Sequence, residues 1–294
     1  MHAFPTLMTA MATPFDADGG LDLDGVQSLA SHLVDHGSQG LVVAGTTGES
    51  PTLSHDETLE TFRAVVEAVG ERVTVVAGTG KNDTAATIQL TQHAEKVGVD
   101  AIMLVTPYYS RPSQAGLDRH FRACAAATDL PVLLYNIPSR TACEIEPETL
   151  IGLADDIDNI MGVKDAVGDL VKTSWVVSHA PDDFGVYSGD DANCLPLLAV
   201  GGVGLVSVAA HLVGEQLAEM IGVFETDPAV ARSIHLRCLP LFRALFAEPS
   251  PGPLKAGLKV LGLPGGEVRL PLAMPRDSTV AGMVDAMRAA GVEV

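Results

Sequence analysis

The residue pattern specifies a (β/α)8 TIM barrel followed by a C-terminal helical domain. Short apolar runs recur at near-even spacing and helical stripes fill the intervals. The 294 residues leave room beyond the roughly 250 that one such barrel uses. The runs are Leu7–Ala12, Leu41–Ala44, Val73–Ala77, Ala101–Val105, Val132–Tyr135, Ile160–Val163, Phe184–Ser188 and Val203–Ser207. Most are continuous rather than alternating, as expected of strands buried on both faces of a parallel sheet. Their starts lie about 28 residues apart on average, one strand-plus-helix unit each. An open, doubly wound sheet shares this rhythm and stays the alternative, because periodicity does not reveal closure.

The intervals read as helices. Val26, Leu29, Ala30, Leu33 and Val34 form one apolar stripe at helical spacing. Ser54 and Glu57 have the spacing of a capping box and lead into Leu59, Phe62, Val66 and Val69. Leu212, Leu217, Met220, Ile221 and Phe224 mark the eighth helix. After Asp227-Pro228 the strand rhythm stops. Residues 228–294 read as helices only, broken at Glu248–Pro253 and Leu263–Gly266. The expected division is a catalytic barrel, 1–227, and a helical domain, 228–294.

Composition narrows the function. Hydrophobic residues make up 47% of the chain, enough for a large core, and 18 basic against 37 acidic residues give a net charge of −19. A field of that sign repels phosphates, so neither nucleic acid nor an anionic membrane is an expected partner. The four cysteines, Cys124, Cys143, Cys194 and Cys238, are scattered with no CxxC pair, the usage of a reducing compartment. The opening MHAFPTLMTAMATPF lacks the basic segment and apolar core of a secretion signal. Ala192–Gly214 carries no acid, Lys or Arg and has spanning length. Pro196 and its glycines instead read as a buried helix, a buried strand and the next helix start. A cytoplasmic location is expected.

In such barrels reactive residues gather at the carboxyl ends of the strands. Those positions give Thr46 and Thr47, Tyr108 and Tyr109, Tyr135, Arg140 and Lys164. Lys164 directly follows the apolar run Ile160–Val163. An apolar setting disfavours its ammonium form and frees a nucleophilic amine, which adds to a ketone as a Schiff base. The alternative is an ion pair with neighbouring Asp165. Tyr135 ends the adjacent strand, and a phenol alternates between donor and acceptor, as a proton shuttle requires. Gly45–Ser50 offers hydroxyls and amides suited to a small carboxylate, and Arg140 offers a fork for a second. There is no HExxH, Walker loop or GxSxG elbow, and Gly78–Asp83 matches a dinucleotide loop only superficially. His32 and His36 share a helix face without an evident third ligand, so a metal-dependent aldolase is disfavoured.

Taken together these residues resemble the dihydrodipicolinate synthase (4-hydroxy-tetrahydrodipicolinate synthase) family of class I pyruvate aldolases, from about Leu7 to Pro275. GTTGESPTL (Gly45–Leu53), VTPYYSRPSQAGL (Val105–Leu117), LYNIPSRT (Leu134–Thr141), MGVKDAVGDL (Met161–Leu170) and YSGDDANCLP (Tyr187–Pro196) carry the resemblance. It implies that Lys164 forms a Schiff base with pyruvate, and that Tyr135 moves protons through Thr46 and a Tyr109 reaching into a neighbouring subunit. It further implies that Thr47 and the Val206 backbone hold pyruvate, Gly189 lines the pocket, and Arg140 receives the carboxylate of L-aspartate 4-semialdehyde. No cofactor beyond the covalent lysine adduct is implied. The implied assembly is a homotetramer, a dimer of dimers, in lysine and diaminopimelate biosynthesis. The family's lysine effector groove maps to Ser50, His55, Asn82 and Tyr108. Thr58 and Ala86 replace the His and Glu common there, so little lysine inhibition is expected. Rival readings are another pyruvate Schiff-base aldolase, acting on N-acetylneuraminate or keto-deoxy sugar acids, and a catalytically silent barrel.

Overall fold

The computed structural model describes residues 2–294. Its eight strands are β1 (Leu7–Ala10), β2 (Gly40–Val43), β3 (Thr74–Gly78), β4 (Ala101–Val105), β5 (Val132–Asn136), β6 (Ile160–Asp165), β7 (Gly185–Ser188) and β8 (Gly204–Ser207). They are parallel and close in sequential order, Leu7 of β1 pairing with Leu205 of β8. Closure therefore excludes the open sheet. The intervening helices are α1 (Leu23–Asp35), α2 (His55–Val69), α3 (Thr84–Val97), α4 (Gln114–Ala125), α5 (Pro138–Thr141), α6 (Pro147–Asp156), α7 (Leu170–His179), α8 (Cys194–Ala199) and α9 (Ala210–Val223).

Alternation along each strand sorts the core into two layers. Met8, Val42, Val76, Met103, Leu133, Tyr135, Tyr187 and Val206 fill the barrel interior. Leu7, Leu41, Val75, Ile102, Leu134, Val163, Val186 and Leu205 face the helices. Tyr187 closes the floor, its hydroxyl donating to the Phe4 carbonyl at 2.8 Å. The site thus has one open end.

Local chemistry sets the ends of the elements. The capping box is present: Ser54 Oγ accepts from Glu57 N, and Glu57 reaches back to Ser54 N at 2.8 Å. The first strand stops at Ala10 rather than Ala12, because Ala12 N donates to His211 Nε2 at 3.1 Å instead of continuing a ladder. Ala44, at φ +51°, turns the chain out of β2 and leads into the Gly45–Ser50 segment. The sixth strand runs two residues beyond the expected Val163. Its ladder continues, with Lys164 paired to Tyr135 and Tyr187, and Asp165 to Asn136 and Ser188.

Beyond the barrel lie α10 (Pro228–Ala244), α11 (Gly252–Val260) and α12 (Asp277–Ala289). The three helices are separated where the breaks are expected, but the second break is longer than Leu263–Gly266 and runs from 261 to 276. Pro264, Pro271 and Pro275 lack the N–H that a helix needs and Gly265 and Gly266 disfavour it entropically, and this non-helical stretch turns back onto the loops at the barrel mouth. Helices α10 and α11 pack against α9, α12 packs against α10 and α11, and the three join the outer core layer through Leu241, Phe242, Leu254, Met283 and Met287. Among the described residues no helix is long and apolar enough to cross a membrane.

Candidate active site

Lys164 projects into the barrel near its open end and is 4% exposed. Its Nζ lies 4.2 Å from the centroid of the Tyr135 ring. The two meet because β5 and β6 place them directly opposite each other with both side chains on the inner face. Asp165, one residue on, faces the helices instead. There it accepts from Val167 N at 2.9 Å and from Thr173 Oγ1 at 2.8 Å. Strand alternation thus keeps the neighbouring carboxylate from the amine, and the ion-pair alternative is excluded.

Burial is the main reason that the Lys164 pKa falls from 10.5 to about 7. The charge of Asp191 opposes the fall and that of Arg140 adds to it. Near neutral pH a large fraction of this amine is therefore unprotonated. Burial also raises the Tyr135 phenol to about 12, against smaller opposing effects of its hydrogen-bonding contact with Thr46 and of the Arg140 charge. Tyr135 is consequently a protonated phenol, ready to give a proton and take it back. Thr46 and Tyr135 share a cavity of about 30 Å³ with Gly45, Ser50 and Val105, room for a water-sized group.

The structure brings the other inferred residues together unequally. Thr47 is buried, and Val206 lies in the inner layer with its backbone paired to Met8. Arg140, on the short helix α5, is exposed, but its charge reaches both Tyr135 and Lys164. Tyr109 does not join them. It is 90% exposed and held at φ +74°, a conformation unfavourable for a bulky residue. Of the effector-groove residues, Ser50 borders the cavity shared by Thr46 and Tyr135, whereas exposed His55 is hydrogen-bonded to His93 at 2.9 Å. Asn82 is exposed, and Ser50 and Tyr108 are half-buried.

Gly189 is needed for space. A Cβ there would stand 2.8 Å from Ala166 Cβ and 3.2 Å from Lys164 Cε, so Gly189→Ala pushes directly on the lysine stem. A displacement near 1 Å in a reacting group costs on the order of 10²-fold in rate. That loss is expected in kcat/KM, together with a lowered thermal midpoint from the 2.8 Å crowding, in steady-state assays paired with a melting curve.

Asp191 escaped sequence reasoning. In Gly189-Asp-Asp191 it looks like an ordinary polar turn, yet it is buried beside the site. Its carboxylate accepts from the Ser207 hydroxyl, from Val208 N at 3.2 Å and from Ala209 N at 3.1 Å. Burial raises its pKa to about 6, against the pull of those donors. It fixes the end of β8 and places negative charge behind Lys164. The pairing of β7 with β8 brings these segments together.

The family model described as the dihydrodipicolinate synthetase family matches residues 3–289. The chain is 57% identical over 267 residues to the 4-hydroxy-tetrahydrodipicolinate synthase of Moorella thermoacetica, covering 90% of this chain and 91% of that one. It is 50% identical over 293 residues to the enzyme of the same name from Symbiobacterium thermophilum, covering 99% and 100%. Among solved structures, a dihydrodipicolinate synthase from Bacillus anthracis superposes with a TM-score of 0.95 at 45% identity, covering 98% of this chain and 99% of that one. The lysine-bound enzyme from Cyanidioschyzon merolae gives 0.98 at 44% identity, with complete coverage of both chains.

Proposed function

The chain belongs to the dihydrodipicolinate synthetase family, and from that premise we propose that it carries out the 4-hydroxy-tetrahydrodipicolinate synthase reaction on Lys164. The observation that carries this reading is the buried amine facing a phenol across two paired strands, with burial pulling its pKa down. Lys164 Nζ attacks the keto carbon of pyruvate. The carbinolamine hydroxyl takes a proton from Tyr135 and leaves as water. The resulting iminium acidifies the adjacent methyl group, whose proton departs through Tyr135 and Thr46 to give an enamine. The enamine carbon attacks the aldehyde of L-aspartate 4-semialdehyde, the substrate's own amine adds to the imine carbon, and Lys164 leaves as the ring closes. The iminium is the electron sink, so no cofactor enters.

Both substrates are carboxylates. Thr47 and the Val206 backbone hold that of pyruvate, and Arg140 receives that of the semialdehyde as a charge-assisted pair. In a chain of net charge −19, Arg140 supplies local positive charge rather than long-range attraction. The strained, outward Tyr109 fits a residue completing the site of a second subunit, within a homotetramer built as a dimer of dimers. A small-molecule biosynthetic role in the cytoplasm, in the lysine and diaminopimelate branch, accords with these substrates. The working division remains a catalytic barrel over 1–227 and a helical domain over 228–294.

Borohydride reduction in the presence of pyruvate, followed by peptide mass mapping, is expected to place one pyruvyl adduct on Lys164. A panel of aspartate semialdehyde, sialic acid and keto-deoxy sugar acids is expected to give turnover with the first alone. Turnover of a sugar acid instead would identify a different pyruvate aldolase. In the same assay millimolar lysine is expected to change the rate by less than about twofold, a coupling too small to be regulatory. Thr58 is buried and donates to the Ser54 carbonyl at 2.8 Å, and Ala86 has no charge to offer the effector's ammonium.

A further inference from the structure

Lys255 and Glu49 form an ion pair across the junction between the C-terminal helices and the barrel. Lys255 Nζ lies 2.7 Å from Glu49 Oε1, and both side chains are 0% exposed. Glu49 sits two residues after Thr47 in the left-handed region, at φ +55°, where a non-glycine residue is held by its surroundings rather than by preference. The turn is folded about it. Glu49 N donates to Thr46 O at 3.1 Å, Ser50 N to Gly45 O at 3.3 Å, and Thr52 N to Glu49 O at 2.9 Å.

A second layer surrounds the pair. Glu49 Oε2 accepts from Arg269 N at 2.9 Å, and Lys255 Nζ donates to the Glu267 carbonyl at 3.0 Å. Lys255 Nζ and the Arg269 guanidinium lie 4.2 and 4.1 Å from the centroid of the Phe15 ring, at cation–π distance. The Arg269 guanidinium also donates to Thr52 O and clasps both oxygens of Glu57. The loops after the first two strands, the start of α2 and the 261–276 stretch are therefore tied together at the barrel mouth. Barrel closure needs none of this; the shared element is the turn that presents Thr46 and Thr47.

We propose that Glu49 and Lys255 are positioning residues for catalysis: the pair locks the Gly45–Ser50 turn so that Thr47 faces the pyruvate carboxylate and Thr46 faces Tyr135. This rests on the catalytic reading above. A buried pair that served stability alone would be replaceable by neutral groups of similar shape. A pair that holds a strained turn in one geometry is not.

The test uses the full-length protein with two variants, Lys255→Met and the uncharged combination Glu49→Gln with Lys255→Met. In the second, the Gln side-chain oxygen still accepts from Arg269 N and no buried charge is left alone. The expected result is a thermal midpoint lowered by Lys255→Met and largely recovered in the combination. KM for pyruvate stays raised at least 10-fold in the combination, while borohydride at saturating pyruvate still labels Lys164. Wild-type KM and kcat in the folded combination would overturn the positioning role, whatever the midpoint does. Failure of the wild-type protein to label would overturn the catalytic reading and this inference with it, whereas normal labelling with an unmoved KM overturns this inference alone. Should Lys255→Met fail to fold, the combination decides alone.

Discussion

Replacing Lys164 by Met is expected to lower kcat/KM by at least about 10⁴-fold, the scale for removing a covalent nucleophile, while making the protein more stable. Met keeps the length of the stem and omits the amine that burial penalises. The sign follows from the proton count. In the folded chain the pKa is about 7, against 10.5 for a freely solvated lysine side chain. Below pH 7 both folded and unfolded chains hold the proton, and the folded one bears the whole penalty. Between 7 and 10.5 the folded chain has released it and the unfolded chain has not, so wild-type stability rises with pH across that window. The penalty removed is on the order of 3–5 kcal/mol near neutral pH. The gain from Lys164→Met should thus be largest below pH 7 and fade toward 10.5. Paired denaturation curves across pH read this directly. An unchanged or lowered midpoint at pH 6 would contradict it. In the wild-type enzyme the same group gives kcat/KM an acid limb, with activity falling tenfold per pH unit below about 7.

Tyr135→Phe is expected to lower kcat by about 10²–10⁴-fold, the range for a positioned acid–base group, with the fold intact. The phenyl ring remains to face Lys164 Nζ at the cation–π position, and what is lost is the hydroxyl in contact with Thr46. Loss of the shuttle slows imine formation as well as enamine formation. Single-turnover borohydride trapping should therefore show slower labelling of Lys164 with an undiminished endpoint. Full labelling at the wild-type rate would assign the proton transfers to another group.

The barrel was legible because its strands are buried on both faces, so each writes a continuous apolar run. Their exact ends were not, because hydrogen bonds formed far along the chain set them. Ala12 leaves β1 for His211, and the sixth strand extends through Lys164 and Asp165 because both flanking strands pair with them. Strand-end position pointed to Lys164 and Tyr135, and the structure sets them face to face. Asp191 could not be found this way, since acids in turns are ordinary and its donors sit at 207–209. Nor could Glu49 and Lys255, whose partnership spans most of the chain and exists only once the 261–276 stretch has folded back. Tyr109 shows the opposite case: its motif is plain in the sequence, yet in a single chain it stays 90% exposed.

The weak proton affinity of the Lys164 nitrogen also bears on how the protein ages. An unprotonated primary amine adds to cyanate, reactive dicarbonyls and reducing sugars, and at pH 7 this position meets them half deprotonated. A reagent small enough to enter the barrel mouth, where this side chain is only 4% exposed, would modify the residue on which turnover depends. A small keto acid held reversibly on the nitrogen would shield it, so the substrate doubles as the preservative.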